Sequence, residues 1–199
     1  TTVTPLNGGT RIVADDNSLP DITARYVLAR PWGEAQFSGL VRQLRYQNPL
    51  ADIDGSTIGW GLSASAKLKV GAQDDIRLMI TGGEGIGRYV GLNLANDAVV
   101  TPDGDLEGIP LFAGFAAYRH VWMEGWRSSL IYSVQEIDND PVLTGLAVNR
   151  SAHSLRGNLI WSPLKGLDLG GELSFAEREL ESGANGDMAR LHLFVKYGF

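Results

Sequence analysis

The side chains of this chain best suited to act on a ligand are cationic. Arg25, Arg42, Lys67, Lys69, Arg77, Arg127, Arg156, Arg178, Arg190 and Lys196 all fall on the polar side of segments in which apolar and polar residues alternate. On that same side stand only a few acids, Glu34, Asp75 and Glu172. Cations lining a narrow, low-dielectric passage attract anions and raise their local concentration, so the chemistry expected here is electrostatic selection of small anions. The chain as a whole is acidic, with a net charge of −6, because its excess carboxylates lie in the connections, such as Asp15, Asp16, Asp52, Asp54, Asp103 and Asp105. Two connecting segments also carry cations. Gly8 to Asn17 mixes glycines, a short apolar patch and Arg11, and the stretch from Gly82 to Asp105 is too apolar for a fully solvated loop and contains Arg88. Both suit folding into a passage, with Arg11 and Arg88 as its constriction cations.

Covalent and metal chemistry find no comparable support. The chain has no cysteine, hence no disulfide, thiolate metal site or thiol nucleophile. His120, His153 and His192 lie on different segments without metal-ligand spacing. A serine hydrolase built on a barrel wall around His153 or His192 would need a local motif that is missing. The glycine run from Gly82 to Gly87 fails as a dinucleotide fingerprint, because from Gly83 or Gly85 the third glycine falls on Arg88 or Val90. Asp52-Ile53-Asp54-Gly55 and Asp103-Gly104-Asp105 are only fragments of a calcium loop. Acidic loops of this kind would hold divalent cations loosely, alongside lipopolysaccharide phosphates. No enzyme activity and no cofactor are expected, and the charge balance excludes a nucleic-acid partner.

The elements that must position these cations are strands. Alternation recurs over residues 21–30, 34–46, 56–70, 74–82, 109–122, 126–137, 151–163, 167–180 and 187–199. The segment 56–70 is the clearest: Ile58, Trp60, Leu62, Ala64, Ala66, Leu68 and Val70 face one way, and Thr57, Gly59, Gly61, Ser63, Ser65, Lys67 and Lys69 the other. Such lengths cross a bilayer at barrel tilt, and a mean hydropathy of −0.06 is what alternation produces. A soluble sandwich shares the periodicity, so the connections discriminate. Tight turns at Arg30–Gly33, Gly71–Asp74, Met123–Gly125 and Pro163–Gly166 alternate with longer connections near 5–20, 47–55, 83–108, 138–150 and 181–186. Short turns on one rim and long loops on the other are the mark of a barrel inserted from one side. Trp32, Trp122, Trp126, Trp161 and Tyr197 gather at the short-turn rim like an interfacial girdle, with Trp60 near the other rim. The last strand ends on Tyr197-Gly198-Phe199, a terminal aromatic that resembles an outer-membrane assembly signal read by the barrel-assembly machinery.

The expected fold is therefore all-β: one antiparallel transmembrane β-barrel domain over 1–199, porin-like, supplying about nine to ten strands of a larger barrel. Loop parity places Thr1-Thr2-Val3-Thr4 at the top of a tenth strand. The alternative is a small complete barrel with a plugged interior and a structural or adhesive role. Residues 109–122 are apolar on both faces around Leu111, Phe112 and Phe115, so one face would meet another subunit or an inward-folded loop.

The stretches Thr2–Pro5, Ile12–Asp21, Gly83–Tyr89 and Leu193–Phe199 resemble the C-terminal half of DcaP-like outer-membrane porins of Gram-negative bacteria. The segments 12–21 and 83–89 are the distinctive ones, since the terminus is common to many barrels. The resemblance implies an outer-membrane location, a homotrimer surrounded by lipid and lipopolysaccharide, passage of small anionic solutes such as dicarboxylates, and around sixteen strands in the full barrel. It transfers no catalytic residue.

Overall fold

A computed structural model describes residues 1–198, with Leu92 described in its backbone alone. In chain order the strands are β1 (Thr2–Thr4), β2 (Ile12–Val13), β3 (Ile22–Arg30), β4 (Gly33–Asn48), β5 (Ile53–Val70), β6 (Asp74–Glu84), β7 (Ala98–Val100), β8 (Leu106–Gly108), β9 (Pro110–Met123), β10 (Trp126–Ile137), β11 (Asn149–Leu164), β12 (Leu167–Leu180) and β13 (Asn185–Tyr197), with a helical turn α1 (Pro141–Thr144) before β11.

Among the described residues, nine strands make one sheet in the order β3-β4-β5-β6-β9-β10-β11-β12-β13, and every neighbouring pair is antiparallel. Each alternating segment of the sequence is one of these strands, which is why a chain-order meander results: successive strands joined by tight turns pair with their neighbours. The sheet is open between β3 and β13, which are its two edges.

Register assigns the faces. On one side lie Tyr26, Phe37, Ile58, Leu62, Ile80, Leu130, Phe175 and Leu191, all large, apolar and exposed. An apolar surface of this extent does not face water; it faces lipid. At its short-turn rim Trp126 and Trp161 are paired in register and their rings stack at 5.5 Å, while Trp32, Trp122 and Tyr197 are exposed nearby. These rings form the aromatic belt at that interface.

The buried core lies elsewhere, on the other face. Strands β1, β2, β7 and β8 form a second, small sheet in the order β2-β1-β7-β8. Val3, Ala14, Ala98, Val100 and Leu106 of this sheet and its flanks pack on Leu44 and Tyr46 of β4, and Ile86, Ala95 and Val99 pack with Leu111, Ile137 and Leu143. Glycines let the two layers touch. A Cβ at Gly55 would lie 2.8 Å from backbone atoms of Asp105 and Leu106, and one at Gly61 would lie 3.0 Å from Ile86.

Two expectations need correction, and a third, left between two alternatives, is resolved. Thr2–Thr4 are not the tip of a tenth barrel strand: Thr2 and Val3 pair with Val13 and Ile12, and Val3 and Thr4 pair in parallel with Ala98 and Val99. The connections 47–55 and 181–186 are tighter than expected, because β4, β5, β12 and β13 keep pairing beyond the apolar band, as Gln47↔Asp54 and Glu179↔Asn185 show. Backbone pairing needs no apolar side chains, so the ladder outlasts the alternation. Finally, the doubly apolar stretch of β9 is accounted for by the inward-folded loop, since Leu111 is buried at 5% against Ile86 and Ile109 while Phe112 points outward and is exposed.

Candidate functional site

The face opposite the apolar band carries the sequence-identified cations. Lys67 lies opposite Arg77, Arg77 opposite Ala117, and the same rung continues through Ile131, Arg156 and Ser174 to Arg190. Lys69 and Lys196 are on this face too, opposite Asp75 and Asp168, as are Arg178 opposite Ala152 and Arg25 opposite Ser38. Among the described residues, Lys67, Lys69, Arg156, Arg178 and Arg190 make no ion pair within 4 Å.

Other cations are partly neutralised. Asp75 is buried and takes Arg77 Nε at 2.7 Å on one oxygen and Arg119 Nη1 at 2.9 Å on the other. Arg127 reaches Asp168 at 2.9 Å and donates to Ser162 Oγ at 2.6 Å. Together Asp75, Arg77, Arg119, Arg127 and Ser129 line a concave basin on the wall. Sequence reading missed Arg119 and Asp168. The signal was available in parity: Arg119 continues the side of Leu111, Ala113, Phe115 and Ala117, and Asp168 that of Gly170 and Glu172.

Arg42 faces inward as its parity requires, yet it does not line a passage. It is 1% exposed under the small sheet, paired with Asp97 at 3.0 Å and near Asp21 at 3.5 Å. This corrects its assignment as a pore-lining residue: the loop segments that cover β4 bring their own carboxylates, because a buried guanidinium without an opposite charge is prohibitively costly. Arg11 is exposed but pinned, donating to the Asn96 side chain and to the Asn93 and Ala95 carbonyls, which are neutral and leave its charge uncancelled. Arg88 is exposed, with its guanidinium 5.5 Å from the Tyr89 ring centre. Tyr89 donates its hydroxyl to Asp21, and desolvation, reinforced by that carboxylate, holds its pKa above the ordinary value of 10.0. Tyr197, at the end of β13, is exposed on the lipid side opposite Leu167; Phe199, the other assignment to the assembly signal, lies outside the described residues.

Above the wall, the loop residues Tyr89, Val90 and Leu94 overhang Met79, Phe115 and Arg156 across a cavity of about 660 Å³. Among the described residues, no group of three or more His, Asp or Glu is placed to hold a metal ion.

A membrane-facing antiparallel sheet with loops folded onto its charged face is an outer-membrane architecture, and sequence comparison agrees: the family model described as DcaP outer membrane protein matches residues 5–199. The chain belongs to the DcaP family of outer-membrane proteins. Its place is therefore the bacterial outer membrane. A solved structure, the outer membrane channel DcaP of Acinetobacter baumannii, is similar to this DcaP-family chain with a TM-score of 0.83 and 23% identity, over 92% of this chain. The alignment covers 53% of that channel, so the chain spans about half of its length, and at that identity the likeness carries the fold. No curated protein matches.

Proposed function

We propose that this chain forms wall and constriction of a passive outer-membrane diffusion channel that prefers small anions, dicarboxylates among them. The observation that carries the reading is the rung from Lys67 and Arg77 through Arg156 to Arg190, where cations recur across the inner face with Ala117, Ile131 and Ser174 between them. A solute carboxylate moving along such a wall meets successive partners none of which binds it tightly, which is the condition for conduction. Membership of a family with a channel of the same fold supports the transport role. The channel catalyses no reaction. Its surroundings are lipid and lipopolysaccharide, its insertion depends on the barrel-assembly machinery, and its oligomeric form is a homotrimer.

The test is reversal potential of the intact protein in a planar bilayer under a potassium chloride gradient. A potential toward the chloride equilibrium value, with dicarboxylates reducing the current, supports the reading. A cation-directed potential removes the anion preference, and absence of conductance from folded protein leaves a plugged barrel with a structural or adhesive role.

A further inference from the structure

Arg88 owes its position to a carboxylate that it does not pair with. Asp97 is 0% exposed and both of its oxygens are engaged: Oδ1 accepts the Arg88 backbone N–H at 3.0 Å and forms an ion pair with Arg42 Nη1 at 3.0 Å, while that nitrogen donates to the Gly85 carbonyl at 3.2 Å, and Oδ2 accepts Thr2 N at 2.8 Å and Thr2 Oγ1 at 3.0 Å. One side chain thus joins the barrel wall at β4, the small sheet at β1, and the turn that carries Arg88. Charge-assisted bonds of this kind are short, directional and costly to lose when buried.

The turn itself leaves little choice. A Cβ at Gly87 would stand 2.6 Å from the Ala95 carbonyl oxygen and 2.8 Å from that of Asn96, so the backbone entering Arg88 runs directly against the segment that returns to Asp97. The Tyr89 ring then lies 5.6 Å from the buried Arg42 guanidinium and 5.5 Å from the exposed Arg88 guanidinium. Of these two cations, only Arg88 is presented to solute.

We propose that Asp97, held by Arg42, is the positioning residue that fixes Arg88 at the constriction, so that a buried pair sets the location of the exposed charge. The proposal rests on the channel reading above. An asparagine at this place offers one accepting oxygen, and its amide would point donors at donors, either Arg42 and the Arg88 N–H or Thr2. One of the two attachments must open.

Reversal potentials under a salt gradient, measured on the intact protein and its Arg88→Gln, Asp97→Asn and doubly substituted variants, test this, with heat-modifiable electrophoretic mobility confirming a folded barrel. The expected result is a loss of anion preference in Arg88→Gln, most of the same loss in Asp97→Asn, and little further change in the double variant. Equal Arg88→Gln shifts in both backgrounds, or an Asp97→Asn potential equal to the parent's, would overturn the proposal. If Asp97→Asn does not assemble, Asp97→Glu keeps the charge and displaces the carboxylate; parent-like selectivity there with an unchanged Arg88→Gln shift overturns it equally. A parent protein that conducts without anion preference refutes the channel's selectivity instead, and is recognised before any variant is compared.

Discussion

Lys67 and Arg77 stand directly opposite each other on the inner face of β5 and β6, a like-charge pair in adjacent strands. Directly opposed like charges destabilise a sheet. The arrangement is moderated on both flanks: Glu34 faces Lys67 from β4, and Asp75 binds Arg77 at 2.7 Å. What remains is a concentration of positive charge on the wall that stability alone would not select.

Replacing Lys67 by Gln, which relieves the like-charge contact and leaves the Arg77–Asp75 pair intact, is expected to reduce anion preference while leaving the barrel as stable as before or more so, by about 0.2–1 kcal/mol. Reversal potential reads the first effect and denaturant midpoints in lipid read the second. A less stable barrel with unchanged selectivity would show that Lys67 serves the fold.

Asp75→Asn acts in the opposite direction. Removing the carboxylate that Arg77 and Arg119 share frees both guanidinium groups toward the passage. Anion preference is expected to rise, and a fall in the measured reversal potential contradicts the placement of this basin on the solute path.

Face assignment is tested by two arginines close together in β5. Leu62 is 64% exposed on the apolar side, and Ser65 lies on the opposite side, between Gln36 and Met79 in the register. Leu62→Arg is expected to cost about 2–4 kcal/mol in bilayer refolding if near the midplane, whereas Ser65→Arg is expected to cost little. Equal costs would mean that the lipid and inner faces have been exchanged or that the sheet is not embedded.

Gly85 holds the start of the loop against the wall with φ of +69°, and a side chain there would overlap Leu44. Gly85→Ala combines left-handed strain with overpacking, about 1–3 kcal/mol against the docked loop. Faster proteolysis within 88–97 in an otherwise folded barrel is the expected sign; parent-like resistance would show that the loop tolerates lifting.

The contact between Tyr89 and Asp21 should be insensitive to pH through the neutral range. Burial and the accepting carboxylate raise the tyrosine pKa above 10.0, so the neutral phenol is favoured in the fold. Its contribution is fully present below the unfolded value and is lost only as pH rises through the folded one. Conductance differences between the parent and Tyr89→Phe should accordingly be constant from pH 5 to 9, roughly the window in which no tyrosine titrates.

Period-two alternation is a local property: side chains of neighbouring residues leave a strand on opposite sides whatever surrounds them. The sequence by itself therefore determined the strands of the main sheet, their meander order and the inner side of Lys67, Arg77, Arg156 and Arg190. It also showed that the segment holding Arg88 was too apolar for a fully solvated loop and that the one holding Arg11 suited an inward fold. Which cations of the inner face stay exposed was decided by tertiary structure. Thr2 and Asp97 are joined by hydrogen bonds across 95 positions of sequence, and that junction builds the small sheet that buries Arg42. Nothing in the alternation around Arg42 distinguishes it from Lys67, since both obey the same parity. Only the return of two distant loops to one half of the wall gives one of them a buried carboxylate partner and leaves the other exposed on the inner face.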